Sequence, residues 1–243
     1  MKLNAGVLII GSLLWQDYLD KPDNTKRKDW RKKHLLLSKK IQVHTPIRYG
    51  RKSDSNIYTM TFSNSCRKKN LGKGFFVPFK HNTFKTFPEI FAELKELSVA
   101  EGMKGKLIAG NSTAWCILGL RFNDNKIDKT TKRKILKWYK EQLKKEISFD
   151  NKEFKIGSET PCIKSNGVLN IPWITATKNE QASNLNDYDF LVATATLPTK
   201  YPSVNELYEN VKADTSRKYF IGNNKSGIET FQDKSVMEKL KSK

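Results

Sequence analysis

The chain contains little of what marks secreted, membrane-spanning or metal-binding proteins. Its three cysteines (Cys66, Cys116 and Cys162) are widely spaced and form no C-x-x-C pair, which indicates a reducing compartment and no disulfide framework. No apolar run approaches the roughly 18–20 residues that a membrane-spanning helix needs. The three histidines lie far apart and have no metal-type spacing. We therefore expect a cytoplasmic protein that does not insert into a membrane.

The familiar catalytic motifs are missing as well. The sequence has no G-x-S-x-G nucleophile turn, no P-loop and no H-E-x-x-H pair. These absences argue against an α/β-hydrolase, a P-loop nucleotide-binding enzyme and a zinc protease of the common types. Any catalytic site must be sought in less specific features.

Negative charge is also scarce relative to positive charge. The 243 residues include 45 Lys and Arg against 25 Asp and Glu, which gives a net charge of +20. Such a balance favours anionic partners, including nucleic acid. A compositional background is the favoured interpretation, because the positive charge is mostly Lys and is spread over the whole chain. Both interpretations stay open.

The N-terminus carries a short apolar stretch, Ala5–Trp15, that resembles a signal peptide only in part. The polar segment Gln16–Asp20 follows it without a small-x-small cleavage site. A buried strand over Gly6–Ile10, ending in a tight turn at Gly11–Leu13, explains the pattern better. A continuous apolar strand of this length belongs inside a sheet.

Strand and helix patterns follow one another irregularly along the chain. Ile57–Phe62, Gly74–Phe79 and Ala114–Leu120 are rich in β-branched and aromatic residues. A Thr-x-x-Glu capping box at Thr86 predicts a helix that ends near Gly102, and the spacing over 129–147 predicts a long amphipathic helix. Regular βαβ alternation is absent, so we expect an α+β fold, a mixed β-barrel or sheet with surrounding helices.

The domain organisation is less evident than the fold class. The segment 149–167 is rich in loop residues and marks a plausible boundary. We therefore expect a core over 1–148 and a C-terminal α/β extension over 149–243 that packs on the core. One continuous domain is the alternative.

Two features of the first half combine into a candidate site. The Gly11-Ser12-Leu13 turn follows the apolar strand, and backbone amides in such a turn can bind a carboxylate or a developing oxyanion. Glu101 lies at the C-terminal end of the predicted helix, where the helix dipole disfavours a negative charge. Such a carboxyl group, when buried, suits a general acid or base.

This pairing resembles the gamma-glutamylcyclotransferase superfamily. Members begin with a strand that runs into a Y-G-S-L or Y-G-T-L turn, and they carry a later helix ending in an L-D-x-x-E-G-like segment. In this chain the matching segments are Gly11–Leu13, the strand Gly74–Phe79, Leu97–Gly102 and the strand Trp115–Phe122. The pattern has Tyr where this chain has Ile10 and Asp where it has Ser98, and no Tyr follows shortly after Glu101.

The resemblance implies intramolecular acyl transfer on a γ-glutamyl amine, with Glu101 as the acid and base and no metal or organic cofactor. Gly11, Ser12 and Leu13 would then bind the glutamyl carboxylate or the oxyanion. Independently of the resemblance, the Arg48-Tyr49-Gly50-Arg51 segment groups cations with an aromatic residue. Arg48 and Tyr49 are therefore candidates for binding an anionic group of the substrate.

A non-catalytic function is the alternative, and one form of it is a small-molecule-binding protein of the same fold that has lost the activity. The clusters Lys26–Lys28, Arg31–Lys33 and Arg67–Lys69, with Trp30 available to stack on a base, suit a nucleic-acid-binding protein. No RNP motif, zinc finger or helix-turn-helix supports that interpretation. A protein-interaction module that docks through its second half is a further alternative.

Overall fold

The apolar run near the N-terminus forms an inner strand of a seven-stranded sheet in the computed structural model of the chain. The structure describes residues 2–18, 24–53, 55–66, 68–81, 83–110, 114–179, 182–214 and 217–242. Strand β1 (Ala5–Ile9) pairs in parallel with β9 (Phe190–Thr196) and antiparallel with β5 (Gly72–Pro78). All five residues of β1 are buried, as its apolar sequence predicts.

The remaining strands extend the sheet to both sides. The order is β6 (Ile108–Gly110), β7 (Ala114–Phe122), β9, β1, β5, β2 (Ile41–Thr45) and β8 (Thr175–Ala176). A separate hairpin of β3 (Ile47–Lys52) and β4 (Tyr58–Phe62) contacts the sheet through β9 and β5.

The α+β class is confirmed, but the sheet is not a closed barrel. Its outer strands, β6 and β8, are three and two residues long. They do not pair with each other among the described residues. Strands this short offer few hydrogen bonds for closure, so the sheet stays open.

The sheet crosses the proposed domain boundary. Strand β9, which belongs to the second half of the chain, lies between β1 and β7 of the first half. Its register with β7 runs without a break from Cys116–Thr196 to Phe122–Phe190. The division after residue 148 stays a prediction, and this strand order favours its alternative of one continuous domain.

Helices alternate irregularly with the strands along the chain. They are α1 (Lys26–His34), α2 (Phe87–Ala100), α3 (Lys129–Leu143), α4 (Ala182–Leu185), α5 (Val204–Ala213), α6 (Lys218–Ser226) and α7 (Asp233–Lys241). None of the helices in the described ranges is long and apolar enough to span a membrane.

Side-chain caps fix the beginnings of the longer helices. The Thr86 hydroxyl accepts a hydrogen bond from the Glu89 amide at the start of α2, and Asp128 caps α3 in the same way. Helix α5 begins with a complete capping box of Ser203 and Glu206. Helix α3 ends at Leu143, four residues before the predicted end.

Candidate functional site

The chain leaves β1 through a single turn of 3-10 helix, Ser12–Leu14. The amides of Leu14, Trp15 and Gln16 close this turn, with hydrogen bonds of 2.8 to 3.2 Å to carbonyls of Gly11 and Ser12. The bonds that close the turn therefore do not use the amides of residues 11–13, which stand at its beginning.

Gly11 is needed for space and not for backbone conformation. Its φ of −162° is an extended value that any residue adopts. A Cβ atom at this position would lie only 2.8 Å from the hydroxyl oxygen of Tyr219. The absence of a side chain at Gly11 therefore serves the close approach of a tyrosine from α6.

Glu101 caps the C-terminus of α2. Its amide donates to the Leu97 carbonyl, and Gly102 takes a left-handed φ of +82° just beyond it. The Ser98 hydroxyl donates to the Lys106 carbonyl at 2.6 Å and so holds the loop that follows Glu101. The side chain of Glu101 is largely buried, with 17% of its surface exposed.

Arg27 on α1 joins the turn to Glu101. Its Nη1 donates to the Ser12 hydroxyl and to the Gln16 side chain, both at 2.9 Å. Its Nη2 lies 3.6 Å from Oε2 of Glu101. Its Nε donates to the Ala100 carbonyl at the end of α2. One guanidinium therefore fixes the distance between the turn and the carboxylate.

Arg31, four residues further along α1, also contacts the segment that follows β1. Its Nη1 donates to the carbonyls of Leu13 and Gln16 at 2.8 and 2.7 Å. Its Nη2 pairs with Asp17 at 2.5 Å. Because these partners follow one another in sequence, the buried Arg31 holds the whole segment against α1.

The turn and Glu101 line the same cavity, whose volume is about 200 Å³. The polar part of its wall includes Arg27, Arg51, Thr194, Thr196 and Tyr219, in addition to Ser12 and Glu101. This volume is smaller than the roughly 300–1,000 Å³ of pockets for drug-sized ligands. The cavity therefore suits a ligand of amino-acid size.

Arg51 and Trp115 form one side of the cavity. The guanidinium carbon of Arg51, on β3, lies 4.3 Å from the centre of the Trp115 ring on β7. Such a contact orients the planar cation and shields one of its faces from water. Both residues line the cavity, so this side presents a cation to a ligand.

Tyr219 contributes a hydroxyl group to the cavity wall, close to Gly11 at the start of the turn. The Met60 amide of β4 donates to this hydroxyl at 3.2 Å. Burial raises the pKa of the Tyr219 phenol, and the nearby charge of Glu101 adds to the effect. The phenol therefore keeps its proton at neutral pH and has a hydrogen to donate.

Arg48 and Tyr49, the other predicted substrate-binding residues, do not line this cavity. The guanidinium of Arg48 lies over the Tyr201 ring, 4.2 Å from its centre, and donates to Ser65. Tyr49 is 1% exposed and its ring packs against Phe220. The register of β3 shifts between Tyr49 and Arg51, and it is Arg51 that reaches the cavity.

The cysteines are buried and unpaired. Burial raises the pKa of Cys66 to about 11 and that of Cys162 to about 12. It also raises the pKa of Cys116, next to the charge of Glu101. None is poised as a thiolate nucleophile. Within the described ranges, no group of three or more His, Cys, Asp or Glu side chains is arranged to hold a metal ion.

Sequence reasoning missed several residues of the cavity wall, and three of them show the different reasons. Arg27 was hidden in the Lys26–Lys28 cluster, although an arginine pair at i and i+4 in a lysine-rich chain is a usable signal. Arg51 lies in the segment from which the sequence analysis chose Arg48 as the candidate for binding an anionic group. Tyr219 comes from the far end of the chain, and nothing local connects it to the turn.

Comparison of the chain with protein-family models, curated proteins and solved structures finds no match.

Proposed function

We propose that this cavity catalyses intramolecular acyl transfer on a γ-glutamyl amine, with Glu101 carrying the proton. One arrangement supports the proposal: the turn after β1 and the Glu101 carboxylate line a single cavity and are joined through Arg27. The order of β1, the turn, β5, α2 and β7 also agrees with the cyclotransferase-like fold that we include in the proposal.

The proposed reaction needs one group that first accepts and then returns a proton. The α-amine of the substrate attacks its own γ-carbonyl carbon, and Glu101 accepts the proton that the amine loses as the new C–N bond forms. The original amide C–N bond then breaks, and Glu101 gives the proton to the departing nitrogen. The products are 5-oxoproline and a free amine, with no net gain or loss of atoms.

The other residues of the cavity have supporting roles in this scheme. Amides at the start of the Gly11–Leu13 turn would bind the oxyanion or the glutamyl carboxylate. Arg51 provides positive charge for an anionic substrate group. Arg27 is a positioning residue, because it holds the Ser12 hydroxyl and the Glu101 carboxylate together.

Two contributions would make up most of the rate enhancement. A well-placed acid and base contributes about 10²–10⁴-fold. Holding the amine and the carbonyl in a reactive geometry contributes the rest, which the small volume of the cavity favours. No redox step occurs in the scheme.

A turnover assay with Glu101→Gln tests the proposal. The wild-type protein should release 5-oxoproline from a panel of γ-glutamyl amines, measured by mass spectrometry. Glu101→Gln should lower kcat by about 10²–10⁴-fold, because the amide cannot relay the proton. Glu141→Gln, at an exposed position on α3, makes the same chemical change away from the cavity and should leave kcat unchanged.

Two results would overturn the proposal. One is equal turnover by Glu101→Gln and the wild-type protein. The other is a folded wild-type protein that releases no 5-oxoproline from any member of the panel.

A further inference from the structure

Helix α3 carries a row of cations on its outer face. Its exposed members are Lys129, Arg133, Lys137, Lys140 and, at the C-terminal cap, Lys144. At 100° per residue these five positions fall within an arc of about 80°, and they extend along about 22 Å of the helix axis. We refer to this set as the α3 basic row.

The opposite face of α3 fixes the helix to the body of the protein. Ile135, Tyr139 and Leu143 are buried, and the Tyr139 hydroxyl donates to the Leu118 carbonyl of β7. The Trp138 ring stacks on Phe87 at the start of α2, with centroids 5.5 Å apart. The α3 basic row is therefore presented on a rigid support.

The charges of the row are not neutralised within the protein. No ion pair of the described residues involves any of its five members. Lys132, which lies on the flank of the helix, pairs with Asp124. Glu141 borders the row and is the acidic residue nearest to it in the helix. The row therefore retains a concentrated positive field.

We propose that the α3 basic row binds the phosphate backbone of double-stranded DNA, independently of the reaction in the cavity. About 22 Å of duplex axis carries about 13 phosphates at one per 1.7 Å. The exposed face of α3 can also approach the major groove of B-form DNA, which is about 12 Å wide and admits a helix. The major groove of an RNA duplex is too narrow for such an approach.

The apolar surface argues against a membrane or a protein as the partner. Amphipathic helices that lie on membranes insert large apolar side chains, and protein interfaces are built around buried aromatic or aliphatic anchors. The large apolar side chains exposed among the described residues are Leu37 and Phe231, and neither lies on α3.

The basic clusters near the N-terminus are less suited to this role. Trp30 is 4% exposed and cannot stack on a base. Arg27 and Arg31 are engaged with the turn after β1. Arg67, in the third cluster, lies outside the described residues. The first two clusters therefore offer lysines without a free arginine or an exposed tryptophan.

A pair of charge-matched variants tests the proposal. Arg133→Gln/Lys137→Gln/Lys140→Gln removes three members of the row, and Lys26→Gln/Lys28→Gln/Lys32→Gln removes three exposed lysines of α1. Binding to a fluorescent DNA duplex of about 20 base pairs is measured by anisotropy over about 50–200 mM salt. A duplex RNA of equal length and vesicles of phosphatidylserine and phosphatidylcholine are measured in parallel.

The α3 variant should bind DNA at least tenfold more weakly than the wild-type protein at the lowest salt concentration. The slope of log affinity against log salt should also become shallower by about 2 to 3, at about 0.9 per lost phosphate contact. The α1 variant should change both quantities much less. Circular dichroism confirms that both variants stay folded, since Gln is a good helix former.

Four results would overturn the proposal. They are no DNA binding by the wild-type protein, equal losses in the two variants, equal or tighter binding of duplex RNA, and binding to vesicles without binding to DNA.

Discussion

Gly11 and Tyr219 illustrate how two distant residues share one small space. The hydroxyl oxygen of Tyr219 lies only 2.8 Å from the position where any other residue at 11 would place its Cβ atom. The same hydroxyl accepts a hydrogen bond from the Met60 amide. The contact therefore ties the turn after β1 to both α6 and β4.

This contact predicts a non-additive pair of substitutions. Gly11→Ala should lower the free energy of unfolding by about 1–3 kcal/mol, because the added methyl group displaces the Tyr219 hydroxyl. In a Tyr219→Phe background that cost should shrink by about 0.5 kcal/mol or more. Denaturant unfolding of the four proteins measures the coupling, and an equal cost in both backgrounds would show that the contact is absent.

At this scale the sequence predicted the residues that stand at the ends of strong local patterns. The Gly11–Leu13 turn ends an apolar strand, and Glu101 ends a capped helix, so the positions of both could be predicted from local sequence patterns. Tyr219 was not, because its role depends on how α6 packs against the turn. Arg48 was preferred to Arg51 because a shift in strand register leaves no mark in the sequence.

Among the secondary-structure elements, α7 is docked through a buried carboxyl group. Asp233 is 3% exposed. It accepts hydrogen bonds from the Thr230 hydroxyl at 2.5 Å and from the side-chain amide of Asn224 at 3.1 Å. Burial raises its pKa to about 6, against an ordinary value of 3.8. Burial, and then the charge of Asp233, also raises the pKa of Tyr49 on β3.

The raised pKa predicts a pH-dependent stability with a definite sign. Between about pH 4 and 6 the folded state holds a proton that the unfolded state has lost, so Asp233 makes the protein less stable as pH rises. The full penalty above the folded pKa is about 3 kcal/mol. Asp233→Asn removes this titration, although it disturbs one hydrogen bond.

Urea unfolding of both proteins at about pH 4 and pH 7 measures this effect. Between the lower and the higher pH, the free energy of unfolding of Asp233→Asn should rise relative to that of the wild-type protein by up to about 3 kcal/mol. An identical pH dependence in the two proteins would show that Asp233 does not titrate in this range.

Elements with local signals were predictable and their pairing was not. The caps at Thr86 and Ser203 and the apolar stripe of α3 define their helices directly. The position of β9 between β1 and β7 depends on contacts between distant parts of the chain, so the choice between a barrel and a sheet stayed open. The two-residue β8 is too short to produce a pattern.

For the molecule as a whole, the cations include two sets in different surroundings. Three arginines make defined contacts inside the fold, since Arg27 and Arg31 hold the turn and Arg51 stacks on Trp115. Exposed lysines dominate the outer face of α3. Both sets contribute to the net charge of +20. We expect substitutions of the contacting arginines and of the exposed α3 lysines to have different effects on the protein.

The cavity is a property of the whole chain and not of its first half. Residues of the second half, including Thr194, Thr196 and Tyr219, line it together with the turn and Glu101. The proposed activity of this cavity therefore cannot be tested on residues 1–148 alone. Activity must therefore be measured with the full chain.

Calorimetric titration of Glu101→Gln with a γ-glutamyl amine, with the product measured in the same sample, separates substrate binding from turnover. Glu101→Gln should bind the ligand with a Kd within about tenfold of the wild-type KM, because the cavity is otherwise intact. Over the time in which the wild-type protein converts the ligand, the variant should release about 1% as much 5-oxoproline or less, because the proposed proton carrier is gone. Release of 5-oxoproline by Glu101→Gln at the wild-type rate would contradict the proposed role of Glu101.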